Sequence, residues 1–287
     1  MILNTKIHFL NTGHSDCIIL ESNGKIAMID AAEDTDFPPE KPHLDYLGYE
    51  DIVVDYLLRN FSDENGEVRI DFVLGTHAHS DHIGGFDTVI NHPKISVKTA
   101  YLKPYHEEGI VKYERRRWDN LEVYNQMLEA IKNNNVSLVD SFDKETVYLG
   151  EWKITFFNGG YRKRKKQVGE NANSVVTLAE AYGKRFLLAA DMNYLDGDER
   201  IIADEVQKVD VLKVGHHGYI GSTSAYFARV INPDYAVVCN HKWRIYPDVR
   251  TKLSNIAHAE IIATADVNGV VMEIKENSDI VITKDIM

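Results

Sequence analysis

Three imidazoles and one carboxylate fall within six positions of Leu74-Gly75-Thr76-His77-Ala78-His79-Ser80-Asp81-His82-Ile83-Gly84-Gly85. Imidazole and carboxylate together suit zinc, manganese or iron better than calcium. The apolar run Phe72-Val73-Leu74 precedes them, so the cluster begins where a strand ends, which is where sites on α/β sheets are commonly built. His77 and His79 share a face if the chain is still extended there. Asp81 and His82 follow a turn and can address a second ion. Gly84 and Gly85 permit close backbone packing beneath. The competing reading is a polar turn that is rich in histidine by chance. The density of donors argues against it, because buried histidines need partners.

The elements that must position this cluster are short and numerous. β-rich runs occur at Lys6–Phe9, Cys17–Glu21, Ile26–Ile29, Asp71–Leu74, Ile154–Phe157, Ser174–Ala179, Phe186–Ala189, Val211–Val214, Tyr235–Cys239 and Gly269–Ile274. Several lack alternation, as buried central strands do. Spaced apolar faces predict a helix through Ile52, Val53, Tyr56, Leu57 and Phe61. A second runs through Leu121, Tyr124, Met127, Leu128 and Ile131, with Asp119 or Asn120 as N-cap. Further helices are expected near 197–206, 223–231 and 248–258. The pattern reads as a layered α/β or α+β sandwich. Tyr161-Arg162-Lys163-Arg164-Lys165-Lys166-Gln167 is a charge run between strands and reads as an exposed loop.

Composition narrows the function classes. The 287 residues are 44% hydrophobic and 26% charged, and the net charge is −12. A chain this long buries roughly 75% of its unfolded surface and needs no disulfide staples. Its acidity opposes broad nucleic-acid binding while leaving room for a local basic groove. Cys17 and Cys239 can form at most one bridge and read as reduced, buried thiols. No basic-then-apolar leader opens the sequence and no apolar run approaches the ~20 residues of a membrane span. The expectation is a soluble, cytoplasmic protein.

His77-x-His79-x-Asp81-His82 resembles the HxHxDH motif of the metallo-β-lactamase superfamily. The resemblance implies a single four-layer αββα sandwich over residues 1–287, with one or two metals at the edge shared by two sheets. The other signposts come in order. Met28-Ile29-Asp30 matches the early aspartate that supports the site. Leu188-Ala189-Ala190-Asp191 matches the motif whose aspartate bridges two metals. Val211-Leu212-Lys213-Val214-Gly215-His216-His217-Gly218 matches the last histidine motif. One signpost is missing. No histidine lies between His106 and His216, and Glu170-Asn171-Ala172-Asn173-Ser174-Val175-Val176 stands where the middle histidine would be. This form resembles the hydrolase domains of bacterial DNA-uptake proteins and the phosphorylcholine esterase modules of choline-binding surface proteins.

The second resemblance extends into segments outside the generic motifs. It takes in His8-Phe9-Leu10-Asn11, Asp16 to Gly24, Glu33-Asp34-Thr35-Asp36-Phe37-Pro38, Tyr101-Leu102-Lys103 and Arg117-Trp118-Asp119-Asn120. No choline-binding repeats follow. His-His-Gly at 216–218 is nearer the DNA-uptake branch, yet Ile245-Tyr246-Pro247-Asp248 lacks the histidine which that branch carries after a tyrosine.

The resemblance implies His77 and His79 on one ion, Asp81, His82 and His217 on the other, and Asp191 between them. Asp81 is expected to orient the attacking water, and His216 to act on metal or on a phosphate oxygen. Two divalent ions about 3.5–4 Å apart can hold a hydroxide and clamp a phosphoryl oxygen. Zinc is the first expectation, with manganese or iron as substitutes. Three functions compete. The first is a dinuclear phosphoesterase or phosphodiesterase acting on a small or polymer-linked phosphoester such as a phosphocholine-like ester. The second is a nuclease, supported mainly by Arg162–Lys166. The third is a metal-binding module without turnover. Trp118, Asn173 (with Asn171 as the alternative amide), Tyr219 and His241 are the candidate substrate contacts; for each aromatic, ordinary packing is the competing reading.

Overall fold

The computed structural model describes residues 5–287. Met1–Asn4, part of the stretch read for a leader, lie outside them. The chain opens with three antiparallel strands, β1 (Thr5–Phe9), β2 (Cys17–Ser22) and β3 (Lys25–Ala31). It then switches to parallel crossovers. Helix α1 (Glu50–Phe61) leads into β4 (Val68–Gly75), short helices α2 (Ser80–Ile83) and α3 (Phe86–Asn91) into β5 (Ile95–Leu102), and α4 (Lys112–Arg117) and α5 (Asn120–Asn133) into β6 (Ser137–Val139). The second sheet begins with antiparallel β7 (Thr146–Leu149), β8 (Trp152–Phe157), β9 (Val176–Ala181) and β10 (Lys184–Leu188). It continues in parallel through α6 (Glu199–Val206), β11 (Val211–Lys213), α7 (Ala225–Ile231), β12 (Tyr235–Val238), α8 (Pro247–Asn255) and β13 (Glu260–Ala263). The hairpin β14 (Val270–Ile274) and β15 (Ile280–Lys284) returns to the first sheet.

The strand orders are β15-β14-β1-β2-β3-β4-β5-β6 and β13-β12-β11-β10-β9-β8-β7. Three apolar layers hold them. Phe9, Leu74, Trp152, Phe156, Phe186 and Val270 fill the space between the sheets. Val53, Leu57, Phe86 and Met127 seat α1, α3 and α5 on the first sheet. Ile202, Phe227 and Leu253 seat α6, α7 and α8 on the second. This is the expected four-layer αββα sandwich. Asp119 stands at the N-cap position of α5 without a side-chain capping bond. Cys17 and Cys239 are free and buried. Among the described residues, no helix is long and apolar enough to cross a membrane.

Candidate metal centre

The site forms where the parallel strands of both sheets end. Strand β4 is buried from Phe72 onward, stops at Gly75, and hands the chain to His77 and His79 before α2 presents Asp81 and His82. Gly85 lets this turn close on β3, since a Cβ there would collide with the Ala31 carbonyl. The other sheet contributes Asp191 just beyond β10, and His216 and His217 just beyond β11. Asp30, Ala190, His216 and His217 all carry φ between +45 and +57°. Such conformations cost on the order of 1–3 kcal/mol each in non-glycine residues and persist where the surroundings enforce them. Here they aim side chains at one point.

Four imidazoles each have one ring nitrogen engaged outward and the other turned inward. His82 Nδ1 is 2.7 Å from Asp30 Oδ2, while its Nε2 is 3.2 Å from Asp191 Oδ1. Asp30 also accepts the Thr76 N–H at 2.9 Å, tying the end of β3 to the histidine segment. His79 Nε2 is 2.9 Å from Glu114 Oε1, and its Nδ1 faces His77 Nε2 at 3.1 Å. His77 Nδ1 lies 3.1 Å from Thr76 Oγ1. His217 Nδ1 is 3.4 Å from Asp16 Oδ1, and its Nε2 is 3.3 Å from both Asp81 Oδ2 and Asp191 Oδ1. Carboxylates on the outer nitrogens of His79, His82 and His217, and the Thr76 hydroxyl on that of His77, fix the tautomer and direct the inner lone pair to the centre.

That arrangement suits divalent cations. The ligand atoms of His77, His79 and Asp191 lie within 4.8 Å of one another, as do those of Asp81, His82 and His217. The inner nitrogens of His82 and His217 face each other at 3.2 Å, and Asp191 Oδ1 is buried without a hydrogen-bond partner. Burial alone would lower His217, but Asp191 and Asp16 raise it to about 9. Burial likewise opposes the charge on His82, yet Asp191 and Asp30 lift it well above its ordinary value. Burial, then the neighbouring His82 and His79, holds His77 well below its own. The carboxylates thus demand positive charge here, while His77 offers a neutral donor.

The sequence-predicted residues divide. Trp118 and Tyr219 line a cleft of about 400 Å³ over the centre, together with His79, Asp81, Asp191, His216 and His217. His216 is at the cleft wall, its Nε2 4.0 Å from Asp191 Oδ2. Asn173 is turned away: its amide donates to Glu170 Oε2 at 2.8 Å and it lines a neighbouring cavity, whereas Asn171 lines the cleft. His241 is outside the cleft lining, paired with Asp266 at 2.8 Å and stacked on Trp243, because the loop after β12 carries it away from the centre.

Several site residues escaped the sequence reading. Asp16 is fully buried and forms an ion pair with Lys213, which ends β11. Burial would raise Asp16, but Lys213 and then His217 bring it down to about 2. A lone lysine inside Val211-Leu212-Lys213-Val214 was the available signal, since buried lysines require partners. Glu114 holds His79, accepts from Asn120 Nδ2 at 2.8 Å, and receives the Glu170 N–H at 3.0 Å. His14, Glu33 and Tyr46 complete the cleft wall, and nothing in their local spacing marked them.

The profile of the Metallo-beta-lactamase superfamily matches residues 10–240. ComE operon protein 3 of Bacillus subtilis is 23% identical over 237 residues, 81% of this chain and 27% of that protein. Recombination protein 2 of Haemophilus influenzae is 24% identical over 242 residues, 83% of this chain and 24% of that protein. The chain therefore spans about a quarter of the length of these curated relatives. Among solved structures, the metallo-beta-lactamase fold protein YhfI from Bacillus subtilis superposes with a TM-score of 0.56 at 10% identity, covering 94% of this chain and 99% of that one. With the motif, the sandwich and the profile in agreement, the chain belongs to the metallo-beta-lactamase superfamily, whose members are mostly metal-dependent hydrolases.

Proposed function

We propose that the chain is a two-metal phosphoesterase acting on small or polymer-linked phosphoesters, with a phosphocholine-like ester as the first candidate. The observation that carries this reading is the set of four imidazoles, each engaged outside and open inside, gathered around Asp191. His77 and His79 would hold one cation, Asp81, His82 and His217 the other, with Asp191 between. Zinc suits this donor set first; manganese and iron also fit. Bound divalent ions supply Lewis acidity to a phosphoryl oxygen and bring the pKa of water from ~15.7 down to about 7–9.

The chain's own groups do the rest. Asp81 is partly exposed to the cleft and is available to orient a water by accepting its hydrogen bond at a carboxylate oxygen. His216 opens on the same space, and burial lowers its pKa, so its imidazole is neutral and donates a hydrogen bond to a phosphoryl or leaving-group oxygen. Glu114 and Asp30 hold imidazoles in place. Around the mouth, Tyr46, Trp118 and Tyr219 stand beside Glu33, Asp81 and Asp119. Aromatic faces with a nearby carboxylate attract a quaternary ammonium; burial and then Asp81 push Glu33 up to about 9, which leaves Asp81 as the charged partner.

The test is turnover. Purified chain supplied with Zn²⁺ or Mn²⁺ is expected to cleave p-nitrophenylphosphorylcholine or bis-p-nitrophenyl phosphate, and His79→Ala and Asp191→Ala to abolish cleavage while remaining folded. A folded, metal-bound chain inert toward every phosphoester would overturn the reading and leave a binding module. The relative named for recombination supports a second reading, in which the phosphodiester is DNA. Degradation of single-stranded DNA without cleavage of either chromogenic ester would select it.

A further inference from the structure

The Glu170–Asn173 turn separates the metal cleft from a second cavity, of about 220 Å³. Its lining reverses the charge of the cleft. Lys103 and the five consecutive cations Arg162 to Lys166 surround it, against the carboxylates of Glu108 and Glu170. On a chain of net charge −12, such a concentration needs an explanation.

Surface pairing accounts for part of it. Arg162 is 2.9 Å from Asp198, and Lys166 is 2.9 Å from Asp196. Lys163 and Lys165 have no ion pair among the described residues. Lys103 comes from the end of β5, outside the basic loop, and is only 9% exposed. Its ammonium donates to the Asn158 carbonyl at 3.0 Å and reaches no carboxylate within 4 Å among the described residues. Arg164 is half-buried; its terminal nitrogens reach the carbonyls of Asp196 and Ala172 and, at 3.5 Å, the Asp198 carboxylate, while its Nε has no hydrogen-bond partner. Burial lowers Lys103 to about 8; Glu170 opposes this and Arg164 adds to it. Lys103 and Lys165, neither with a carboxylate partner among the described residues, line this half-enclosed space with Arg164 and leave room for an anion to complete them. The cavity is smaller than the ~300–1,000 Å³ of ordinary small-molecule sites, which fits one tetrahedral anion and its ester arm better than a whole substrate.

We propose that this cavity is a phosphoryl-anion subsite, built by Lys103, Arg164 and Lys165, which seats a second, non-scissile phosphate of the substrate and so selects esters carried on a phosphate-bearing chain. The assignment to substrate rests on the phosphoesterase reading; anion binding itself does not. Arg164 contacts the Ala172 carbonyl, so an occupant bears directly on the wall shared with the cleft.

The experiment has a binding arm and a kinetic arm. Inorganic phosphate is titrated by calorimetry into the metal-loaded chain and into Asp191→Asn, Lys103→Met and Lys165→Ala. A site that persists in Asp191→Asn but weakens at least tenfold in both lysine variants is expected. The exposed Lys165→Ala guards against misfolding of the buried variant, and melting curves report on both. In the kinetic arm, bis-p-nitrophenyl phosphate is compared with thymidine 3′-phosphate 5′-(p-nitrophenyl phosphate), which carries a second phosphate. The lysine variants should raise KM at least fivefold for the second ester and leave kcat/KM for the first within twofold. Loss of phosphate inhibition without that KM change would assign the subsite to free phosphate. Phosphate binding unaffected by either lysine variant would overturn the proposal, even if turnover is robust. Absent turnover with lysine-dependent phosphate binding would instead defeat the phosphoesterase reading alone.

Discussion

The two cavities on either side of the Glu170–Asn173 turn hold their charges in opposite ways. In the metal cleft Asp16, Asp30, Asp191, His77, His82 and His217 are all buried, and His82 and His217 are braced by carboxylates from other elements. In the basic cavity five of the six cations ride on one loop, and Arg162, Arg164 and Lys166 lean on Asp198 and Asp196. Buried charge is expensive unless every partner is in place, whereas exposed pairs contribute little. The cleft is therefore intolerant of change and the loop forgiving, with buried Lys103 and half-buried Arg164 as exceptions on the forgiving side.

The sharpest way to break the contrast is at Asp191. Asp191→Ala should bring phosphoester turnover to background and remove metal from both ligand groups, as read by metal analysis after dialysis. Next comes Lys213→Met, which removes the ammonium beside the buried Asp16 carboxylate and leaves it only His217 and His82 as partners. It is expected to cost about 3–5 kcal/mol in denaturant unfolding, and an intact stability would refute the view that this pair is a foundation of the cleft. Glu114→Gln should then weaken metal at the His77–His79 side by about 10–100-fold, while the Asp81–His82–His217 side keeps its affinity in the same titration.

A milder effect concerns pH. Burial, followed by the charge of Asp119, pushes Asp34 up to about 8. Unfolded aspartate releases its proton near ~3.9, so between these values the native state binds more protons than the unfolded one. Stability from this group is full below the lower value and is lost as pH rises toward 8. Asp34→Asn should stabilise the chain at pH 8 relative to pH 5, and an equal change at both values would exclude this origin. Smallest of all, Lys166→Ala removes only the exposed contact to Asp196 and should move stability by less than about 0.5 kcal/mol.

The ligand segments were legible because their chemistry is local: His77 to His82 sit on one strand end and one turn, and Asp191 and His217 each follow an apolar strand run. Their braces were not. Asp16, Glu114 and Glu170 are ordinary carboxylates in sequence, and only the tertiary fold brings them to an imidazole or to the chain beside one. Strands were found where they are apolar throughout and missed where polar residues interrupt them, as in β5 with Ser96, Lys98 and Thr99, or where they are short edges such as β6. The basic loop was placed correctly as a loop, but its approach to Lys103 depends on a contact across some sixty residues. Asn173 and His241 were drawn toward the centre by their neighbours in sequence, and Glu170 and Asp266 hold them elsewhere.

The inward-facing donors come from both halves of the sandwich: His77, His79, Asp81 and His82 follow β4 in one sheet, and Asp191 and His217 follow β10 and β11 in the other. An ion gripped by that set is a rivet through two plates. Stripping it with a chelator should loosen the seam between the halves, so that heat tolerance climbs with free metal concentration as mass action requires.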